Sequence, residues 1–92
     1  MTIVPMAQFG ITLTDRADGK KFYQEILRKY SRPVALDFSG VISLGSSFGD
    51  EVIPKLAAEQ ENNMTIMHTN TVIKHSIMRV VEDTSINIAF ED

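Results

Sequence analysis

The sequence predicts an α/β domain in which three helices pack on one small mixed, mostly parallel sheet of about five strands. Three observations carry this expectation. Short strand-sized apolar segments alternate along the chain with stretches of helical spacing. The run Val34-Ala35-Leu36-Asp37-Phe38 is almost continuously apolar, as expected of a strand covered on both faces by helices. A chain of 92 residues, 43% hydrophobic and 23% charged, suits a single domain over 1–92 with one modest core.

The elements follow in order. Residues 3–14 hold apolar residues in loose alternation and read as two short strands, the first at an edge because Pro5 cannot donate to a ladder. Phe22, Ile26, Leu27 and Tyr30 fall at helical spacing behind Asp18, which is placed to cap. That helix should end near Ser31, since Pro33 biases its predecessor out of the helical region. The strand Val34–Phe38 comes next. Phe48, Val52, Ile53, Leu56 and Ala57 then form a second helical stripe, with Pro54 expected to kink the helix or delay its regular part.

Glu61-Asn62-Asn63 is a plausible stop, because asparagine tolerates the left-handed cap. Residues 64–69 read as a strand. Val72, Ile73, Ile77, Val80 and Val81 give a third helical face capped by Asn70 or Thr71. Ile86, Ile88 and Phe90, alternating with Asn87 and Ala89, close the chain as a strand. Strands alternating with helices imply right-handed crossovers and parallel pairing. An unpaired edge strand leaves room for a homodimer.

Composition excludes several classes. The chain has no cysteine, so disulfides and thiolate zinc sites are absent. Its start carries no basic region ahead of a long apolar core, and no apolar run reaches the roughly 18 residues of a membrane span. A cytoplasmic protein that binds no membrane is the expectation. The net charge of −3 argues against nucleic acid. Charge is unevenly spread, with Arg16, Lys20, Lys21, Arg28, Lys29 and Arg32 supplying most of the 9 basic residues. Beyond Glu82 the chain holds acids and no base.

The chemistry-bearing stretch is Val34 to Glu51, "VALDFSGVISLGSSFGDE". Gly45-Ser46-Ser47-Phe48-Gly49 fits the G-x-S-x-G pattern of serine hydrolases. A nucleophile elbow, however, needs the serine directly between strand and helix, and Ser39–Leu44 intervene. A second reading is a helix start with Ser47 as N-cap and Asp50 three residues on, an acid-bearing capping box worth about 1 kcal/mol. A third uses the same place as a switch. Backbone N–H groups at a helix start favour anions, and a phosphate there adds about −1.5 to −2 charges. A nucleotide or small-anion module would use the same turn.

Leu36-Asp37-Phe38-Ser39-Gly40-Val41 followed by Gly45-Ser46-Ser47-Phe48 resembles the signature of STAS domains, the fold of bacterial anti-sigma factor antagonists. These carry L-D-x-S-G-V, three residues, then D-S-S-G opening a helix. The stretch is closer still to a STAS-like family of unknown function, whose pattern matches Leu36–Val41 and then Ser47, Phe48, Asp50 and Glu51. Two departures stand out: the antagonists' aspartate is Gly45 here, and their glycine is Phe48.

The resemblance implies a non-enzymatic signalling module that binds a protein partner, a histidine-kinase-like ATPase or anti-sigma-type regulator. Serine phosphorylation at Ser46 or Ser47 would switch it. Asp37, Ser39, Gly40, Gly45, Phe48 and Asp50 would shape the contact, with no cofactor and no metal. Asp37 also has a structural reading, as an acid bonded to amides of the following turn. His68 and His75 lack a matching third ligand and read as ordinary histidines.

Overall fold

Short strands alternating with amphipathic helices fold into two parallel sheets, with helices packed on the larger one. The computed structural model describes residues 1–91. In chain order these form β1 (Thr2–Pro5), a 3-10 turn (Met6–Phe9), β2 (Thr12–Leu13), α1 (Arg16–Lys29), β3 (Val34–Asp37), β4 (Ser43–Leu44), α2 (Ser46–Ala58), β5 (Asn63–Met67), α3 (Thr71–Val80) and β6 (Asn87–Glu91). The main sheet has 4 strands in the order β1-β3-β5-β6. Each pairing in it is parallel. The α/β class, the three helices and the edge position of β1 are as the sequence predicts.

One strand escapes the sequence reading. Ser43–Leu44, within the segment that separates Val34–Phe38 from Gly45, pairs in parallel with Thr12–Leu13 in a separate ladder. The N–H groups of Ile42 and Ser43 both donate to the Ile11 carbonyl, at 2.7 and 3.2 Å. Two residues are too few for an alternation to register, so only the pairing reveals the strand. The first helix also starts earlier than expected. Asp15 is its N-cap and accepts from the Asp18 N–H at 3.0 Å, so Asp18 lies inside the first turn rather than capping it. Pro54 sits within a continuous α2, where it leaves the Asp50 carbonyl without its usual intrahelical donor.

The register sorts the sheet into two unlike faces. Val4, Leu36 and Ile66 align across β1, β3 and β5, are fully buried, and share the core with Phe48, Val52, Ile53 and Leu56 of α2 and Ile73 and Ile77 of α3. On the opposite face Ile3, Pro5, Ala89 and Glu91 are exposed. The helices therefore cover one face of β3, not both. Ala35 is still only 1% exposed on the uncovered face, because its small side chain lies between the cross-strand neighbours Ile3 and Thr65.

Two glycines set the helix spacing. A Cβ at Gly19 would stand 2.9 Å from the Phe48 carbonyl oxygen, which is where α1 crosses α2. A Cβ at Gly49 would stand 2.8 Å from Cγ2 of Val80, on α3. No helix among the described residues is long and apolar enough to cross a membrane.

Candidate functional site

The β2–β4 ladder delivers the chain to the start of α2. Gly45 donates its N–H to the Leu13 carbonyl at 2.8 Å, and its own carbonyl accepts from Gly49 at 2.9 Å. Gly45, not Ser47, is thus the N-cap of α2, and no side chain caps this helix. The capping-box reading of Ser47 and Asp50 does not hold, because the ladder pins the helix start two residues earlier. Gly45 has a packing reason of its own. A Cβ there would press to 3.2 Å from the Cα, Cβ and Cγ2 of Thr14.

Ser46 and Ser47 therefore occupy the first two helical positions with neither hydroxyl used as the cap. Their surroundings differ. Ser46 is exposed, and a shallow pocket of about 180 Å³ joins it to Ser76 and Arg79 of α3. Ser47 is half-buried, one turn ahead of Glu51 on the same helical stripe. Glu51 is 8% exposed and tied from both sides: Oε2 accepts from Arg16 of α1 at 2.9 Å, and Oε1 from Lys55 at 2.7 Å. Lys55, and then Arg16, hold its carboxyl below the ordinary glutamate range.

Phe48 was expected to touch a partner. It is 1% exposed and packs towards Phe22 with ring centroids 6.3 Å apart, so it belongs to the core. Asp50 is exposed one turn beyond Ser46.

A second cluster lies at the C-terminal ends of β3 and β5, the edge where open parallel sheets present their ligand crevices. Oδ1 of Asp37 accepts from the Ser39 N–H at 2.9 Å and pairs with Nδ1 of His68, also at 2.9 Å. The Ser39 amide above all, with help from His68, holds the Asp37 carboxyl below the usual aspartate range. Gly40 follows with φ at 83°, and His68 itself has φ at 57°. The structural reading of Asp37 as the staple of its own turn is what the geometry shows. Its pairing with His68 had no sequence signal, since 31 residues separate the two.

Exposed apolar residues border the α2 start. Ile11, Ile42 and Val72 are 55%, 61% and 62% exposed. The Ile42 amide bonds the Ile11 carbonyl, and its own carbonyl receives the Asn70 side chain at 3.5 Å. Asn70 caps α3, and Val72, Ser76 and Arg79 follow along one stripe of that helix. The surface thus runs from an apolar end to the hydroxyls of Ser46 and Ser76 and the Arg79 guanidinium. The sequence reading missed Ser76 and Arg79, because only the packing of α3 beside α2 brings them to the turn. A larger hollow of about 420 Å³ opens at the other end of the strands, beside Arg32, Glu59, Gln60 and Glu61.

A family-level comparison matches residues 18–74, more than half of the chain, to the STAS-like domain of unknown function. The chain belongs to this family. No curated protein and no solved structure matches it. The matched span of this STAS-like domain includes Asp37, the serine turn and His68. Ser76, Arg79 and the whole of β6 fall beyond it.

Proposed function

We propose that this STAS-like domain is a non-enzymatic regulatory module of bacterial signalling. It binds a protein partner through the surface around the start of α2, and phosphorylation of Ser46 switches that contact. The observation that carries this reading is Ser46 itself, exposed at the first position of α2 with its hydroxyl not used as the cap. Phosphate at a helix N-terminus is favoured by about 0.3–1 kcal/mol, and Arg79 offers a counter-charge across the shared pocket. Asp50, one turn on, opposes it by a few tenths of a kcal/mol. Ser47 is the poorer candidate, because a phosphate there would crowd the Glu51 carboxylate and its two cations.

Ile11, Ile42 and Val72 give the partner an apolar footing beside the switch, so added charge alters the rim of a contact whose centre is apolar. The resemblance to anti-sigma factor antagonists makes a histidine-kinase-like ATPase the partner to test. The nucleotide reading has less support, since the larger hollow lies away from the serine turn and is flanked by Glu59 and Glu61.

Incubation with a candidate ATPase and ATP, followed by fragmentation mass spectrometry across Leu44–Lys55, tests the proposal. Phosphate is expected on Ser46 and absent from Ser46→Ala. Ser46→Asp should change affinity for the partner by about tenfold or more, or about 1.4 kcal/mol. An unmodified turn, together with equal binding by wild type, Ser46→Ala and Ser46→Asp, sinks the switch.

A further inference from the structure

The two edges of the main sheet are unlike. At β1, Pro5 lacks the donor that a neighbouring strand would need. At β6 no such block exists: Asn87–Glu91 holds no proline and no lysine, and no strand lies beyond it among the described residues.

The ladder fixes which backbone groups of β6 are free. The Asn87 N–H donates to the Asn62 carbonyl at 2.8 Å, and the Glu91 carbonyl accepts from the His68 N–H at 3.0 Å. By strand alternation the amides and carbonyls of Asn87, Ala89 and Glu91 face β5, and those of Ile88 and Phe90 face outward. The Ile86 N–H is taken by Oγ1 of Thr84 at 3.2 Å. The free outward set is therefore Ile88 and Phe90. Their side chains, on the helix-covered face, are only half-buried, because the apolar layer ends at this edge.

From this geometry we infer that β6 pairs antiparallel with β6 of a second copy of the chain, about a two-fold axis at Ala89, joining two sheets of 4 strands edge to edge. In this register Ile88 stands opposite the second copy's Phe90. The two exchange both backbone hydrogen bonds, and symmetry repeats the exchange. Their side chains close the unfinished edge of each apolar layer. On the uncovered face Ala89 meets its own symmetry copy, and Asn87 meets the second copy's Glu91, so no like charges stand directly opposite. Moving the axis to Ile88 would set Phe90 against Ile86, whose N–H is already engaged. The register at Ala89 uses both free residues and no other.

An edge contact of this length falls short of the roughly 1,200–2,000 Å² of a standard stable interface, so the dimer dissociates at low concentration. It lies apart from the serine turn, and its test does not depend on the switch.

The chain has no cysteine, so a single introduced thiol reports its own neighbour. Residues facing each other across a non-hydrogen-bonded antiparallel pair lie about 4.5 Å apart at Cα, within disulfide reach. Under mild oxidation Ala89→Cys should form a disulfide-linked dimer at least about tenfold faster than His75→Cys, a control on exposed α3. Sedimentation velocity of the wild-type chain from about 10 µM to about 1 mM should show a monomer passing to a dimer. Asn87→Lys should tighten association about two- to thirtyfold by facing Glu91, and Asn87→Glu should weaken it. Both substitutions are at a site exposed in the monomer, so folding persists. A monomer at every concentration, equal cross-linking of the two cysteine variants, or the same shift from Lys and Glu overturns the inference. The monomer result would leave the edge to a strand from another protein.

Discussion

At the residue scale, backbone proximity separates glycines that look alike in sequence. Gly19 and Gly49 both lie inside helices, where alanine would add about 1 kcal/mol of helix propensity. At Gly19 the new methyl meets the Phe48 carbonyl oxygen at 2.9 Å, and the α1–α2 spacing must open to admit it. At Gly49 the nearest atom is Cγ2 of Val80, a methyl of a buried side chain rather than backbone, so a shift of that one side chain relieves the contact. Gly19→Ala should therefore destabilise by about 1–2 kcal/mol net, and Gly49→Ala should be within about 0.5 kcal/mol of wild type. Urea unfolding of the two variants checks this, and equal losses would refute the distinction. Gly45 is a milder case: a Cβ there would stand 3.2 Å from Thr14, so a side chain requires Thr14 to give way slightly, a constraint that a linear motif cannot display.

At the scale of elements, the helix caps separate what the sequence reveals from what packing decides. The place before the apolar stripe narrows the α3 cap to Asn70 or Thr71, and the structure selects Asn70, whose Oδ1 accepts from the Ile73 N–H at 2.7 Å. Asp15 and Asp18 both precede the same stripe, and only the geometry of the first turn makes Asp15 the cap. Ser47 was read as a cap because serine favours that role, but the long-range bond from Gly45 to Leu13 had already set the helix start. The succession of strands and helices along the chain, β4 apart, was readable from hydrophobic spacing. The bare face of the sheet was not, because buried and exposed alanines are the same letter: Ala35 is sealed by its neighbours and Ala89, two strands away at the edge, is not. A direct comparison follows. Asn70→Ala should cost about 1 kcal/mol. Ser46→Ala and Ser47→Ala should each cost less than about 0.5 kcal/mol, since neither hydroxyl caps α2. A full cap-sized loss at Ser47, measured by thermal or chemical unfolding, would restore the capping role that the structure denies it.

At the scale of the whole molecule, two carboxylates tie separate parts of the fold, and both respond to acid in the same direction. Glu51 joins α1 to α2 through Arg16 and pairs with Lys55 along its own helix. Asp37 joins the ends of β3 and β5 through Ser39 and His68 on the sheet. Each carboxyl is held below its ordinary range, so the unfolded chain binds a proton more readily than the folded one. The stability they contribute is complete above the unfolded carboxylate range of about 3.9–4.3 and disappears as pH falls through the lower folded values. The melting temperature should hold steady from neutral pH to about pH 5 and decline below about pH 4. Glu51→Gln supplies the sharper test, because glutamine keeps the shape of a protonated glutamate. The variant should melt below wild type at pH 7, and the gap should narrow as pH drops beneath about 4, where the native carboxyl also loses its charge. A gap that stays constant to pH 3 would mean that Glu51 supports the helix pair through packing rather than through its two cations.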